Sequence, residues 1–360
     1  MIRVPYNIKP SIPPLVLPPS AHTLPGAVAA VVDFLDPSTG STALLTGAGV
    51  SVESGIPDYR GPTGTYTVNR DYRPIFYTEF VHNHEIRQRY WARGFLGWQS
   101  IRQAKPNRVH KHVGDLISNG WLASVITQNV DSLHSHFVND VTEIHGSLAR
   151  AVCLTCGSSH DRGHLQELLC RLNPAWHNLL QLEIDRLATT STTVTANPMK
   201  DLRLNPDGDL ELPGNVRYNG FKYPACPTCV ETGLAKVTSD GAWSTENQNA
   251  GVPHANRKRK DVGVLKPDVV FFGESVNEDV KNNAERKLRQ ADKVLIMGSS
   301  IATYSAFRLI KESKAAGKRI GVINVGPIRG EHELLTQGDL RVSFNAGDVL
   351  EGVVQSIRST

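Results

Sequence analysis

Five cysteines raise the first chemical question. Cys153/Cys156 and Cys226/Cys229 form two C-x-x-C pairs, and Cys170 stands apart in the helical-looking run HLQELLCRL. Each pair presents two thiolates from one turn. Four thiolates make the closed tetrahedral donor set of structural zinc, with no position left for a reacting water. The gap between the pairs is longer than in an ordinary zinc ribbon, so the chain between them must loop out and return. Cys170 reads as a buried thiol. A second constellation is LTGAGVSVESGIPDYRG, Leu45 to Gly61, where Gly47 and Gly49 follow an apolar run as in a phosphate-binding turn. Val52 occupies the place of a third glycine, and Gly55-Ile56-Pro57 stops the helix that should follow, which argues against a dehydrogenase. A third is TQNVDSLH, where Gln128, Asn129 and Asp131 end another apolar run. His145 follows in VTEIHGSLAR, between that turn and the first cysteine pair, and a neutral imidazole there is a candidate general base.

These residues need elements to position them. The runs TALLTG, ASVITQN, KVLIMGSS and RIGVINVG read as strands, with helical patterns such as IRQRYWARGFLGWQSIRQ and HKHVGDLISNG between them. That alternation predicts a doubly wound α/β parallel sheet of Rossmann-like type, with ligands held beyond the carboxyl ends of the strands. GAG, TQNVD, GSS and NVG fall at those ends. Residues 26–150 and 265–360 are expected to form this domain, and residues 151–264 a small zinc-ribbon module with long insertions around 173–222 and 236–262. The 360 residues are 40% apolar with a net charge of +4, so no general attraction to nucleic acid follows, and no apolar run is long enough to span a membrane. RKRK (257–260) reads as a solvated loop tip, with a nuclear or nucleic-acid patch as the alternative. Residues 1–25 contain Arg3 and Lys9 and no acid, which suits a mitochondrial transit segment or a disordered proline-rich tail.

Taken in chain order, GAGVSVESGIPDYRG, TQNVDSLH, EIHGS, the two C-x-x-C pairs, LKPDVVFFGE, GSS and NVG resemble the sirtuins, the NAD-dependent protein deacylases. Arg73-Pro74-Ile75 and the stretch Arg87 to Trp98 resemble the mitochondrial class II branch, which favours a matrix location over a nuclear or cytoplasmic one. The resemblance implies NAD as a co-substrate whose nicotinamide–ribose bond is cleaved. An acyl-lysine carbonyl oxygen attacks C1′, and His145 then takes a proton from the ribose diol. It also implies that Gly47, Ala48, Gly49 and Ser51 lie near the phosphates, and that Asp58, Tyr59 and Arg60 belong to a loop closing over the dinucleotide. Asn129 and Gln128 would serve the ribose, and Asp131 the nicotinamide carboxamide. Gly298, Ser299, Ser300, Asn324, Val325 and Ala346 would hold phosphate, ribose and adenine. Val269 and Phe271 would line the acyl-lysine tunnel, while Phe272, Gly273 and Glu274 pair with a substrate added as a strand. Tyr90 and Arg93 stand at the spacing with which succinyl- and malonyl-removing sirtuins grip a distal carboxylate. Mono-ADP-ribosyl transfer and lipoamide cleavage are the alternative activities. A zinc-ribbon nucleic-acid adaptor is the alternative outside enzymes.

Overall fold

The computed structural model describes residues 14–61, 64–68, 73–190, 216–250 and 260–359. Residues 257–259 of the RKRK run, and residues 191–215 and 251–259 of the two insertions, lie outside the described residues. The chain divides into two compact units, one of residues 1–68, 105–145 and 276–360, the other of residues 69–104 and 146–275.

The first unit is built on six strands: β1 (Thr42–Thr46), β2 (Ser124–Thr127), β3 (Val141–Glu143), β7 (Lys293–Met297), β8 (Arg319–Ile323) and β9 (Leu340–Val342). Their order is β3-β2-β1-β7-β8-β9, and every pairing is parallel. Parallel strands covered on both faces read as continuous apolar runs, and β1 and β7 are buried along their whole length. Alternation divides β1 between two cores. Leu44 packs with the helices Leu24–Leu35, Arg108–Ser118 and Ala346–Arg358, while Ala43 and Leu45 face a core shared with Glu278–Gln290 and Tyr304–Ala315. Helices therefore flank both faces, as a doubly wound sheet requires. One border of the sheet is closed by the chain itself. Leu17 pairs with Arg341 through two backbone hydrogen bonds, and the Leu15 N–H donates to Glu331, which also holds the buried Arg341 guanidinium.

The second unit contains β4 (Gly146–Cys153), β5 (Ser159–Asp161) and β6 (Leu265–Val269), antiparallel in the order β5-β4-β6. The β6 pairing explains why residues 265–275 group with the cysteine-bearing segment, where the sequence reading drew the boundary at 264/265. Residues 69–104 join it too, because the helix His84–Gln103 buries Trp91, Phe95 and Leu96 against Leu165, Leu169, Trp176 and Phe221. Arg87 is fully buried in this helix. It donates to Asp261, to the Tyr223 hydroxyl and to the carbonyls of Phe80 and Val81, with its guanidinium 4.8 Å from the Trp243 ring centroid. Cys170 is half-buried rather than buried, and desolvation raises its thiol pKa.

Candidate functional site

At the carboxyl end of β1 the chain turns at Gly47 and runs into a 3-10 helix, Ala48–Ser54, which stops at Gly55 in left-handed geometry. The helix ends as early as Gly55-Ile56-Pro57 predicts. This turn interlocks with the one after β7. The Gly47 N–H donates to Met297 O and the Gly49 N–H to Gly298 O. Gly298 has φ +59, and a Cβ there would come within 2.7 Å of the Val50 nitrogen. Only glycine permits this approach. Beyond it, Ile301 is a fully buried β-branched residue at φ +43, a strained conformation fixed in part by its N–H donating to Ser299 Oγ at 3.0 Å.

Polar side chains from three strand ends meet here. Gln128 donates to Ser299 Oγ at 2.6 Å and accepts from Thr303 Oγ1 at 3.1 Å. Asn129 donates to Ser51 Oγ at 3.0 Å, and Ser51 donates to Asp131 at 2.7 Å. The other Asp131 oxygen receives the Leu133 N–H, so the TQNVD turn is fixed before any ligand arrives. Ser51 therefore braces Asn129 and Asp131 within the crevice. Below the turn, Thr127 Oγ1 accepts the Asn129 N–H and the Thr46 hydroxyl, and Thr46 Oγ1 lies 3.0 Å from His134 Nε2. His134 packs against His110 in a tilted arrangement, with ring centroids 4.7 Å apart and planes at 59°; burial holds both neutral, with pKa values lowered to about 3 and about 4.

His145 is anchored at both ring nitrogens. Nδ1 lies 3.1 Å from the Gln128 carbonyl, which can only accept, so Nδ1 carries the proton. Nε2 then offers its lone pair, and Ser305 Oγ sits 2.8 Å away. Burial lowers the ring's pKa to about 4, leaving a neutral base at physiological pH.

The loop after the 3-10 helix folds on itself. Asp58 receives the Gly61 N–H on its side chain and the Thr65 N–H on its carbonyl, and the Tyr66 N–H donates to Tyr59 O. Arg60 lies 5.0 Å from the Tyr66 ring centroid, its pKa lowered by burial, while Tyr59 is exposed. After β8, Asn324 donates to Gly326 O and Val325 is exposed. Ala346 opens the C-terminal helix, whose Asp348 shares Arg108 with Glu53 of the glycine turn. Amides and hydroxyls gathered at these strand ends, with glycines that leave the backbone uncovered, suit a dinucleotide.

In the second unit the four predicted sulfurs come together, all within 4.8 Å of one another, with Cys153–Cys229 at 3.6 Å and Cys156–Cys226 at 3.7 Å. Thiolates about 2.3 Å from a tetrahedral zinc stand about 3.8 Å apart, so the site fits one ion. Gly157, at φ +74, closes the first knuckle, and the helix Pro227–Glu231 forms the second. Gly263 ties them, accepting from the Cys226 N–H and donating to Thr155 Oγ1.

The residues expected to meet a peptide lie in this unit as well. Phe271 is buried, with ring centroids 5.1 Å from both Phe80 and Tyr90. Val269 ends β6 at the margin of its sheet. Phe272 already accepts the Tyr77 N–H, and Glu274 holds the turn by accepting from Lys266 and the Phe271 N–H. Gly273 is exposed, and Arg93 is half-buried one helical turn beyond Tyr90.

Thr303, Ser305, His110 and His134 were not singled out in the sequence. His134 belongs to the quoted TQNVDSLH, but Ser305 lies 160 residues from His145 and no local spacing marks it.

A family profile described as "Sir2 family" matches residues 47–305. The "NAD-dependent protein deacylase SIR4" of Batrachochytrium dendrobatidis is 39% identical over 340 residues, covering 93% of this chain and 96% of its own. The bovine "NAD-dependent protein lipoamidase sirtuin-4, mitochondrial" is 33% identical over 337 residues, covering 93% and 88%. Among solved structures, "Sir2-p53 peptide-NAD+" shares the fold with a TM-score of 0.56 at 20% identity, over 92% of this chain and 98% of that one.

Proposed function

The chain belongs to the Sir2 family, and on that premise we propose that it is an NAD-dependent protein lysine deacylase. The observation that carries the reading is the geometry at His145: a neutral ring with Nδ1–H fixed on the backbone carbonyl of Gln128 and its Nε2 lone pair facing only a hydroxyl, that of Ser305, among the described residues. Bound NAD supplies an activated nicotinamide–ribose bond whose C1′ captures the acyl oxygen. His145 Nε2 takes the proton of a ribose hydroxyl, and burial keeps the ring unprotonated until then. Asn129 and Gln128 orient the ribose through amides already fixed by Ser51, Ser299 and Thr303. Gly47, Ala48, Gly49, Gly298, Ser299 and Ser300 admit the phosphates to the backbone, while Asn324, Val325 and Ala346 flank the adenosine end. Asp131 receives the carboxamide, and Asp58, Tyr59 and Arg60 cover the dinucleotide.

One structural zinc, held by Cys153, Cys156, Cys226 and Cys229, keeps the second unit folded. Val269 and Phe271 line the acyl chain's path beside Tyr90, and residues 272–274 meet the peptide backbone. Arg93 disposes the site toward acidic or bulky acyl groups, and the likeness to a lipoamidase supports a long chain. The same relative's mitochondrial designation and the acid-poor start of the sequence support a matrix address.

An acyl-peptide panel with NAD, following nicotinamide release and 2′-O-acyl-ADP-ribose by mass spectrometry, tests the reading. Wild type is expected to turn over at least one acyl peptide, and His145→Ala to lose on the order of 10²-fold or more. Ribosylated protein in place of the acylated sugar would favour ADP-ribosyl transfer.

A further inference from the structure

The base's reactive nitrogen is within hydrogen-bond distance of Ser305, the second residue of the helix Tyr304–Ala315. Since Nδ1 of His145 carries the ring proton, the 2.8 Å contact at Nε2 is a hydroxyl donating to the nitrogen lone pair. The same helix start makes a second, independent contact with the site. Thr303 stands at the N-cap, where a threonine hydroxyl ordinarily accepts from the helix's own first N–H groups. No such side-chain bond forms, and the hydroxyl donates to Gln128 Oε1 instead. Two hydroxyls two residues apart thus hold the two residues that define the base: Thr303 the Gln128 amide, and Ser305 the ring that rests on the Gln128 carbonyl.

We infer that Ser305 is a positioning residue for His145, a hydroxyl latch that keeps Nε2 of the imidazole aimed at the sugar until substrate displaces it. The inference rests on the proposed deacylase reading. The step balances. A ribose hydroxyl replaces Ser305 at the lone pair, its proton moves to Nε2, and the electron pair of the broken O–H bond stays on the ribose oxygen. The ring is then a cation with protons on both nitrogens. Ser305, a donor before the step, rotates to accept from the new Nε2–H, so one side chain serves both charge states.

This role separates two readouts. Cleavage of the nicotinamide–ribose bond precedes proton removal and does not need the latch, whereas completion of acyl transfer does. In Ser305→Ala, acyl-peptide turnover is expected to fall about three- to tenfold, the worth of one hydrogen bond. Exchange of labelled nicotinamide into NAD and the KM for NAD should stay within about twofold, less than half that bond's worth. Ser305→Thr, which keeps the hydroxyl, should recover most of the turnover. Nitrogen-15 NMR should show the Nδ1–H tautomer in both proteins, with the Nε2 resonance moved in the alanine variant toward that of a pyridine-type nitrogen with no hydrogen-bond donor. Turnover unchanged in Ser305→Ala, exchange falling in parallel with turnover, or threonine behaving like alanine would each overturn the inference. Wild type without NAD-dependent nicotinamide release would instead sink the deacylase reading.

Discussion

In the first unit, Leu44, Leu295 and Val322 lie in parallel strands covered by helices on both faces, and the core closes mainly on apolar surface, with the buried pair Arg341–Glu331 at one margin. In the second, a three-stranded antiparallel sheet spreads its core over aromatic rings, four sulfurs and the buried pair Arg87–Asp261. The first unit carries the chemistry on the tips of a rigid sheet. The second is organised around groups that are costly to bury unless their partners are present. Order in one comes from area removed from water, and in the other from specific ligation, so the two should fail under different insults.

Metal removal is the strongest way to test that contrast. Structural zinc supplies on the order of 10 kcal/mol to a small domain. Chelation is expected to unfold the second unit while amide hydrogens of β1 and β7 stay protected from exchange. Trp91, Trp98, Trp176 and Trp243 belong to the second unit and Trp121 to the first, so tryptophan fluorescence should follow the chelator far more than sheet protection does. Equal loss in both units would break the comparison.

A smaller effect is expected from Asp261→Ala. It leaves a fully buried guanidinium without its carboxylate, and breaking such a pair costs about 3–5 kcal/mol. Arg87 keeps Tyr223 and two carbonyls, which places the loss toward the lower end. Urea unfolding followed by fluorescence measures it. Replacing both partners with apolar residues should cost less than the single change.

Acid acts by degrees rather than in one step, and addresses the first unit. His110, His134 and His145 have folded pKa values lowered to about 4, about 3 and about 4 by burial, against an ordinary value of 6.5. Below pH 6.5 the unfolded chain takes up protons that the folded one refuses. Stability is therefore complete above that pH and declines as pH falls toward 4, where the folded rings begin to charge. The slope approaches about 1.4 kcal/mol per pH unit for each histidine. Hydrogen exchange on β1 and β7 between pH 7 and 5 checks it, because thiolate protonation will disturb the second unit over similar conditions. The double variant His110→Gln/His134→Gln should flatten the slope.

The sequence made much of the first unit legible. TALLTG, ASVITQN, KVLIMGSS and RIGVINVG become β1, β2, β7 and β8, because a strand buried on both faces declares itself as an unbroken apolar run. The short β3 and β9 carry too few residues for such a signal. The four cysteines were legible because C-x-x-C fixes geometry within one turn. Arg87–Asp261 was not, with 174 residues between the partners, nor was Ser305–His145. In each, a residue ordinary in its own neighbourhood acquires a role only when distant chain is brought beside it. The 265–275 boundary was missed for the same reason, since β6 finds β4 across the whole cysteine segment.

The short bridge between Leu17 and Arg341 has a consequence for how this molecule tolerates proteases. A sheet margin left bare offers unspent backbone groups to any extended segment in solution. Here a few residues ahead of the first helix occupy that margin at β9, and the Leu15 N–H also donates to an interior carboxylate, that of Glu331. Trimming that stops before residue 14 leaves this seal intact. A cut beyond Leu17 would strip it, and the truncated chains should stick to one another at concentrations where the sealed form stays dispersed.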